Sequence, residues 1–554
     1  MAIMRTANVQ KEMLRNENMT ESWEQHGQRT QLNRREALSV AGGLLAGAAF
    51  GRINDASETP QLNSLPFEEF ARYDGLKLAE LVRKREVKPE ELLEAAIARA
   101  EAVTPKFNAI VGKLYDEART AIKKGLPAGP FTGVPFVVKD ISFYLANVPC
   151  SRGSALFKDS IPNADSTAVR RYRQAGLVIF ARTATPELAI LPITESAIHG
   201  ITRNPWNPER TAGGSSGGTA VAVATGIVPM GSAGDGGGSI RIPSSCCGLF
   251  GLKPTRARVP VGPNPLDGWD WPFVIHALTR SVRDSAALLD ATSGANAADP
   301  CWAPPNGRPF LQEVGESPGK LRIALALKTP PVEEVHPKCR KAAENAAHLC
   351  EELGHRVEDV TERFVKTFPM EEFRQGMFIP GLADMAVCVE KRLAELGRGL
   401  HESDLEPSTR NCLESAKKYT ACDQARAIRL LHESSRRMAE FQRDFDVILT
   451  PTLAKLPVEH FGERLFGTAS DATKVDSDAL GRELIAFCPF TQLANCTGQP
   501  AMSVPLHWTA DDLPVGVQFM GRFGDEATLF RLAAQLEGAC PWRNKRPTIQ
   551  VLGT

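Results

Sequence analysis

Two serines in glycine-rich surroundings are the residues of this sequence best suited to covalent chemistry. Ser215 lies in a Gly-Gly-Ser-Ser-Gly-Gly run, and Ser239 directly follows Gly236, Gly237 and Gly238. Acyl transfer needs a hydroxyl nucleophile and fixed N–H donors where the carbonyl oxygen becomes negative. Glycines lack a Cβ, so the three amides before Ser239 can crowd around such an oxyanion. The pattern predicts a nucleophile at Ser239 beside an oxyanion hole.

The base that such a serine needs can be a lysine, provided that the lysine is neutral. Lys139 follows the short apolar run 133–138, which is typical of a buried strand. A free lysine titrates near about 10.4, so burial has to lower its pKa before it can accept a proton near neutral pH. We therefore predict a relay in which Ser215 passes the proton of Ser239 to Lys139.

Three further residues beside the serines are predicted to support the site rather than to react. Asp235 is expected to brace the glycine loop by accepting hydrogen bonds from nearby backbone N–H groups. Arg241 is expected to fix the following turn through a charge-assisted hydrogen bond. Ser216, next to the relay serine, is assigned to the same supporting set. A helix running through Arg241 and Ser244 would also direct the positive end of its dipole toward the oxyanion.

The elements that position these residues follow the pattern of an α/β protein. Apolar residues recur at helical spacing in 76–84 and 89–102, and Pro105 is expected to stop the second helix. A further apolar helical segment, 219–227, follows the first serine pair. Short apolar runs predict strands at 133–138, 321–325, 447–449, 501–506 and 515–519, and the chain is expected to end with a helix at 526–538.

Together these motifs resemble the amidase signature family. The resemblance rests on a lysine in a Gly-Val-Pro-x-x-Val-Lys-Asp segment, on the first serine of Gly-Gly-Ser-Ser-Gly-Gly, and on a serine after Gly-Gly. In that family the lysine, the bridging serine and the acyl-forming serine occupy the positions of Lys139, Ser215 and Ser239. The resemblance implies a single large α/β/α domain over 61–554, with a central mixed sheet covered by helices. It also implies an amidase that needs no cofactor.

Two departures from the family pattern concern substrate choice rather than the relay. Many members carry threonines on either side of the aspartate, where this chain has Gly234-Asp235-Gly236. In this respect the chain resembles the branch that acts on non-peptide amides. An asparagine commonly precedes the proline-containing turn at 184–188, so the pocket wall there is expected to differ. The resemblance implies that the substrate is a small or medium acyl amide.

Composition narrows the range of partners. The 554 residues carry 65 Lys plus Arg and 65 Asp plus Glu, so no net charge attracts nucleic acid or an anionic membrane. The 12 cysteines include no C-x-x-C pair, and the histidines show no metal-site spacing, so we expect no catalytic metal. Cys246, Cys247 and His276 lie in apolar runs and are expected to be core residues. We expect a small-molecule partner, and the sequence also allows a homodimer.

The first 60 residues differ in character from the rest of the chain. Residues 33–38 read Asn-Arg-Arg-Glu-Ala-Leu, and a weakly apolar stretch rich in Gly and Ala follows to Gly51. This arrangement resembles a twin-arginine export signal, which would direct the protein to the periplasm. Without export the protein would be cytoplasmic. The apolar stretch is too short to predict a membrane-spanning helix.

Two other functions stay open at the level of sequence. The same family includes the glutaminase subunit of the transfer-RNA-dependent amidotransferase, which works only inside a complex. An export signal argues against that role, because the partner is cytosolic. The resemblance also allows a fatty-acid-amide-type hydrolase, for which residues 370–395 could line an apolar channel.

Overall fold

Alternating strands and helices make up the computed structural model, which describes residues 67–262, 272–296, 299–332, 334–466 and 477–549. The strands are β1 Ile110–Lys113, β2 Pro135–Lys139, β3 Val178–Thr183, β4 Glu195–Ser196, β5 Gly200–Ile201, β6 Met230–Asp235, β7 Phe250–Lys253, β8 Val274–Thr279, β9 Arg322–Leu325, β10 Arg356–Asp359, β11 Val447–Pro451, β12 Ala501–Trp508 and β13 Pro514–Gly521. Eleven strands within the described ranges form one sheet, in the order β1-β3-β2-β6-β8-β7-β12-β13-β11-β9-β10, and β4 pairs with β5. Parallel pairing of β2 with β3 and antiparallel pairing of β6 with β8 confirm the predicted mixed sheet.

Helices cover this sheet. They are α1 Phe67–Arg72, α2 Gly75–Arg83, α3 Pro89–Phe107, α4 Tyr115–Lys124, α5 Thr167–Gln174, α6 Gly217–Ala224, α7 Arg241–Cys247, α8 Val282–Thr292, α9 Pro337–Glu352, α10 Thr361–Thr367, α11 Met370–Leu396, α12 Pro407–Ala416, α13 Ala421–Phe441, α14 Glu463–Phe466, α15 Ser477–Phe487, α16 Gln492–Thr497 and α17 Glu526–Ala539. The described residues belong to one compact unit, Leu62–Thr554.

The two faces of the sheet bury different sets of side chains. Successive residues of a strand point to opposite faces, and in β11 Val447 and Leu449 join one hydrophobic cluster while Ile448 joins another. The first cluster includes residues of α9, and the second includes residues of α11 and α13. Because apolar helices pack on both faces, the molecule has the predicted α/β/α layering.

The strands and helices predicted from the sequence are present, but two predicted helix ends were wrong. The segment predicted as helical over 219–227 ends at Ala224, two residues before Gly226 takes a φ of 76°. The other difference is the end of α3. Pro105 was expected to stop the second helix, whereas α3 continues through Pro105 to Phe107. The last turn carries two buried side chains, Val103 and Phe107, each 1% exposed, so packing against the core favours its helical conformation. The helix ends where Asn108 adopts a left-handed conformation with φ of 54°, a position that asparagine tolerates.

Two adjacent parallel strands, β2 and β6, bring two of the predicted site residues to one edge of the sheet. Val137 of β2 is in register with Gly231 of β6, so the carboxyl ends of both strands lie at the same edge. These ends are Lys139 and Asp235. The backbone N–H of Lys139 also donates to Ser232 Oγ at 2.9 Å, which fixes the end of β2 against β6.

The N-terminal segment 1–60, with the predicted export signal, lies outside the described residues, and export stays a prediction. None of the helices that the structure describes is long and apolar enough to cross a membrane.

Candidate active site

Lys139 and Ser215 form the buried end of the site. The side-chain nitrogen Nζ of Lys139 lies 2.6 Å from Ser215 Oγ, and each residue is 1% exposed. Burial lowers the pKa of Lys139 to about 7, against the opposing effect of the Asp235 carboxylate. A neutral amine is therefore well populated near neutral pH, as the sequence-based relay requires.

Ser239 lies between β6 and α7, on the loop that follows Asp235. Ser239 is partly exposed and lines a cavity together with Ser215, Gly236 and Gly237. The two predicted relay serines therefore face the same space, one of them bonded to the lysine. The predicted nucleophile Ser239 is therefore accessible from the cavity, while the predicted base Lys139 is buried.

Asp235 and Arg241 form a fully buried ion pair behind the glycine loop. Arg241 donates to the two carboxylate oxygens of Asp235, from Nη2 at 2.9 Å and from Nε at 3.0 Å. Both side chains are 0% exposed. Burial alone would raise the pKa of Asp235, but Arg241 outweighs it and holds the pKa below its usual range. The structure places both residues directly behind the loop, and their supporting roles stay predictions.

The same carboxylate also holds the backbone of the loop. Asp235 Oδ1 accepts from the N–H of Gly238 at 2.8 Å, and Oδ2 accepts from the N–H of Ile240 at 3.2 Å. The sequence-based expectation placed the amide of Gly238 in the oxyanion hole, whereas the structure shows it bonded to Asp235. Gly236 and Gly237 line the cavity instead. A carboxylate fixed by Arg241 is the stronger acceptor for that amide, which is the physical reason for the difference.

Gly238 is required by its conformation and by its neighbour. Its φ is 137°, and an added Cβ would collide with the side chain of Thr491. Thr491 Oγ1 in turn donates to the carbonyl oxygen of Gly237 at 2.7 Å. The loop before Ser239 is thus held from both sides, by Asp235 and by Thr491.

Ser216 lies beside the relay but not in the cavity wall. It is fully buried, and its Oγ donates to the carbonyl oxygen of Gly234 at 3.3 Å. This bond ties the segment that carries Ser215 to the end of β6. The supporting role of Ser216 stays a prediction.

Sequence reasoning missed the partners that complete the Arg241 network. Arg241 Nη1 donates to Gln518 Oε1 at 2.7 Å and to the carbonyl oxygen of Thr491 at 2.6 Å, and Nη2 donates to Asn495 Oδ1 at 2.6 Å. These residues lie about half the chain away in sequence, so motif spacing carries no signal for them. Of these residues only Gln518 lies in an element that the sequence predicts, the strand at 515–519.

A cavity of about 310 Å³ extends from the serines. Its apolar lining residues are Ile141, Leu188, Ala189, Ile190, Leu191, Pro192, Ile242, Phe273, Met377, Phe378, Leu382, Leu480, Leu484 and Ile485, and its other lining residues are Ser142, Ser215, Gly236, Gly237, Ser239, Ser408, Asn411, Cys412, Ser415, Gly481, Cys488 and Gln492. None of these described lining residues carries a charge. The cavity is therefore suited to an uncharged, largely apolar ligand.

The other reactive residue types are placed as the sequence predicts. Cys246 and Cys247 are buried, and burial raises the pKa of both thiols. His276 is buried with a pKa lowered by burial to about 3, and its Nε2 lies 2.8 Å from Ser285 Oγ. All three are core residues. Among the described residues, no group of three or more His, Cys, Asp or Glu side chains could hold a metal ion.

The mixed sheet and its helical layers are those of an amide-hydrolysing class of enzyme, as comparison with known proteins shows. The amidase family profile matches residues 91–530. The chain belongs to the amidase signature family and is an amidase, a hydrolase of amide carbon–nitrogen bonds.

Individual relatives share nearly their whole length with the chain. It is 36% identical over 484 residues to 6-aminohexanoate-cyclic-dimer hydrolase of Paenarthrobacter ureafaciens, covering 86% of this chain and 96% of that protein. A solved structure of a 6-aminohexanoate cyclic dimer hydrolase superimposes with a TM-score of 0.79 at 34% identity, covering 87% of this chain and 99% of that one. A bacterial aryl acylamidase gives a TM-score of 0.75 at 26% identity, with 85% and 96% covered.

Proposed function

We propose that this amidase hydrolyses an uncharged small or medium acyl amide through an acyl-enzyme on Ser239. The observation that carries the proposal is the buried contact of 2.6 Å between Lys139 Nζ and Ser215 Oγ. Ser215 and Ser239 line the same cavity, and none of its described lining residues is charged. Burial that lowers the pKa of Lys139 supports its use as the base.

In the proposed reaction, neutral Lys139 takes the proton of Ser215 while Ser215 takes the proton of Ser239. The Ser239 oxygen then bonds to the amide carbon, and the carbonyl oxygen becomes an oxyanion held by the amides of Gly236 and Gly237. The proton returns from Lys139 through Ser215 to the leaving nitrogen as the carbon–nitrogen bond breaks. Water, deprotonated through the same relay, then releases the carboxylic acid and restores Ser239.

The lining of the cavity supports a substrate without formal charges. A charged group in this space would lose its hydration and find no opposite charge among the described lining residues. The relative named for the cyclic dimer of 6-aminohexanoate is consistent with this class, because a cyclic amide has no free amine or carboxylate. We therefore include cyclic amides among the proposed substrates.

Free glutamine fits the described cavity poorly, which disfavours the glutaminase-subunit role. Its α-ammonium and α-carboxylate groups would need charged partners, and the described lining offers serines, Asn411 and Gln492 as its polar side chains. A fatty-acid-amide-type hydrolase stays the second candidate. Met377, Phe378 and Leu382 of α11 line the cavity, as the sequence predicts for a channel formed by 370–395, and they would accommodate a longer acyl chain.

A matched panel of amides tests the proposal. We expect hydrolysis of hexanoyl anilide and of an uncharged cyclic diamide, with kcat/KM at least about tenfold above those for glutamine and for the anilide of 6-aminohexanoate, because burying an unpaired charge is unfavourable. Release of aniline or of carboxylic acid is the measurement. Faster hydrolysis of glutamine would overturn the substrate class, and faster hydrolysis of dodecanoyl anilide than of hexanoyl anilide would favour the second candidate.

A further inference from the structure

A buried arginine fixes the orientation of an amide side chain in the cavity wall. Gln492 is the first residue of α16 and is 5% exposed. Its Oε1 accepts a hydrogen bond of 2.7 Å from Nε of Arg374, a residue of α11 that is 2% exposed. The proposed mechanism uses neither residue.

Arg374 is itself held in position. Its Nη2 donates to the carbonyl oxygen of Pro330 at 2.6 Å, and its Nη1 lies 3.6 Å from Glu371 Oε2. A guanidinium group has donors and no acceptor, so it can face only the oxygen of the Gln492 amide. The amide nitrogen Nε2 must then point away from Arg374. In the part of the chain that the structure describes, Nε2 donates to no protein acceptor.

The side-chain amide of Gln492 lies beside the glycine loop that precedes Ser239. Gln492 lines the cavity together with Gly237 and Ser239, and its Cγ is 3.9 Å from the point that a Cβ of Gly237 would occupy. The preceding residue, Thr491, is bonded to the Gly237 carbonyl. Gln492 is therefore fixed beside the loop at which the proposed mechanism places the reacting carbonyl group of a substrate.

We infer that Gln492, oriented by Arg374, is a specificity-determining residue that donates a hydrogen bond to a second carbonyl oxygen on the acyl part of the substrate. The inference rests on the proposed function and narrows its substrate class to uncharged amides that carry a further acceptor. A donor on the wall of a largely apolar cavity gains most from an acceptor that replaces the water lost on binding, and it disfavours a purely hydrocarbon acyl chain at that point.

The test compares hexanoyl anilide with its 3-, 4- and 5-oxo derivatives. In the wild type we expect at least one oxo derivative to exceed hexanoyl anilide in kcat/KM about tenfold, mainly through a lower KM, which is the effect of one hydrogen bond to a buried group. In Gln492→Leu the ratio of kcat/KM for the oxo derivative to kcat/KM for hexanoyl anilide should fall to about one. Gln535→Leu is the matched control. Gln535 is also hydrogen-bonded to one side chain, that of His355 at 2.8 Å, but it lies outside the cavity lining. This variant should keep the wild-type ratio.

Gln492→Glu keeps the inference testable if the leucine variant does not fold. Its carboxylate retains Arg374 as a partner but offers oxygens to the substrate, so the ratio should fall below one. A ratio that is unchanged in either Gln492 variant, or a wild type that prefers none of the oxo derivatives, would overturn the inference. Covalent labelling of Ser239 by a fluorophosphonate separates the two claims: without labelling the proposed function fails and this inference with it, whereas labelling without the ratio removes this inference alone.

Discussion

At the scale of single residues, burial and a hydroxyl partner together suit Lys139 to its proposed role as a base. The chain has a second fully buried lysine, Lys253, whose pKa burial also lowers to about 7. Its Nζ donates to the carbonyl oxygen of Pro254 at 2.8 Å, and a carbonyl oxygen has no proton to give to the amine. The Ser215 hydroxyl beside Lys139 is what distinguishes the two.

The protonation of Lys139 predicts the pH dependence of the activity. The relay needs the neutral amine, so kcat/KM should rise as the pH passes upward through about 7 and fall off below it. The measurement is the pH profile of hexanoyl anilide hydrolysis. Lys139→Met should lower kcat by about 10²–10⁴-fold and abolish this limb, whereas Lys253→Met should retain a limb near the same pH. A limb that persists in Lys139→Met would assign the titration to another group.

The Asp235–Arg241 pair predicts a stability effect. Asp235→Asn would leave the fully buried guanidinium without its counter-charge, and we expect a loss of about 3–5 kcal/mol in the free energy of unfolding. Denaturant titration followed by circular dichroism measures it. Asp444→Asn is the control, since Asp444 lies 2.6 Å from Arg363 but is 57% exposed, and it should lose far less. Equal losses in the two variants would contradict the bracing role of Asp235.

Which site residues the sequence predicts depends on how locally they are encoded. Lys139, Ser215 and Ser239 each lie in a short motif whose residue types name a chemical task. Asn495 and Gln492 lie in a helix that reaches the site only through the tertiary fold, so their types and spacing gave no indication of a role. The hydrogen bond from the Gly238 N–H to Asp235 was also not predicted, because a run of glycines does not reveal which of its N–H groups donates to a neighbouring carboxylate.

At the scale of elements, close packing of α6 positions the relay serine. The helix starts at Gly217, directly after Ser215 and Ser216. A Cβ added to Gly218 would collide with the backbone of Ala184 and lie 2.8 Å from the carbonyl oxygen of Ala109. The absence of a side chain therefore allows α6 to approach the end of β3 closely.

This contact predicts the effect of Gly218→Ala. The methyl group meets backbone atoms, which cannot move aside cheaply, so we expect a loss of about 1–3 kcal/mol in unfolding free energy and a lower rate of Ser239 labelling. Gly538→Ala in α17 is the matched control, because a Cβ there meets nothing within 4 Å. It should be neutral or stabilise the protein by about 0.5–1 kcal/mol. A neutral Gly218→Ala would contradict the close approach.

Element types were predictable where one periodicity dominates. The apolar runs at 447–449 and 515–519 gave strands, and the helical spacing at 76–84 gave a helix. The end of α3 was not predictable, since Pro105 is a local stop signal and the buried Phe107 is a tertiary reason to continue. The order of the strands in the sheet could not be predicted from the sequence either, because it depends on pairings between segments far apart in the chain.

At the scale of the whole molecule, the proposed relay and much of the cavity wall come from different parts of the chain. The residues of the proposed relay lie within 139–239, where the family motifs lie. Much of the cavity wall comes from α11, α12 and α15. Four lining residues of α12, namely Ser408, Asn411, Cys412 and Ser415, recur at the spacing of one helix face. A change in these helices can therefore alter the substrate while the relay stays the same.

The most direct test of the central claim is mass spectrometry of the intact protein after treatment with a fluorophosphonate, with Ser239→Ala and Lys139→Met in parallel. We predict one adduct in the wild type that maps to Ser239, no adduct in Ser239→Ala, and slower labelling in Lys139→Met. An adduct on another residue, or no adduct in folded wild-type protein, would contradict the assignment of Ser239 as the nucleophile that Lys139 activates through Ser215.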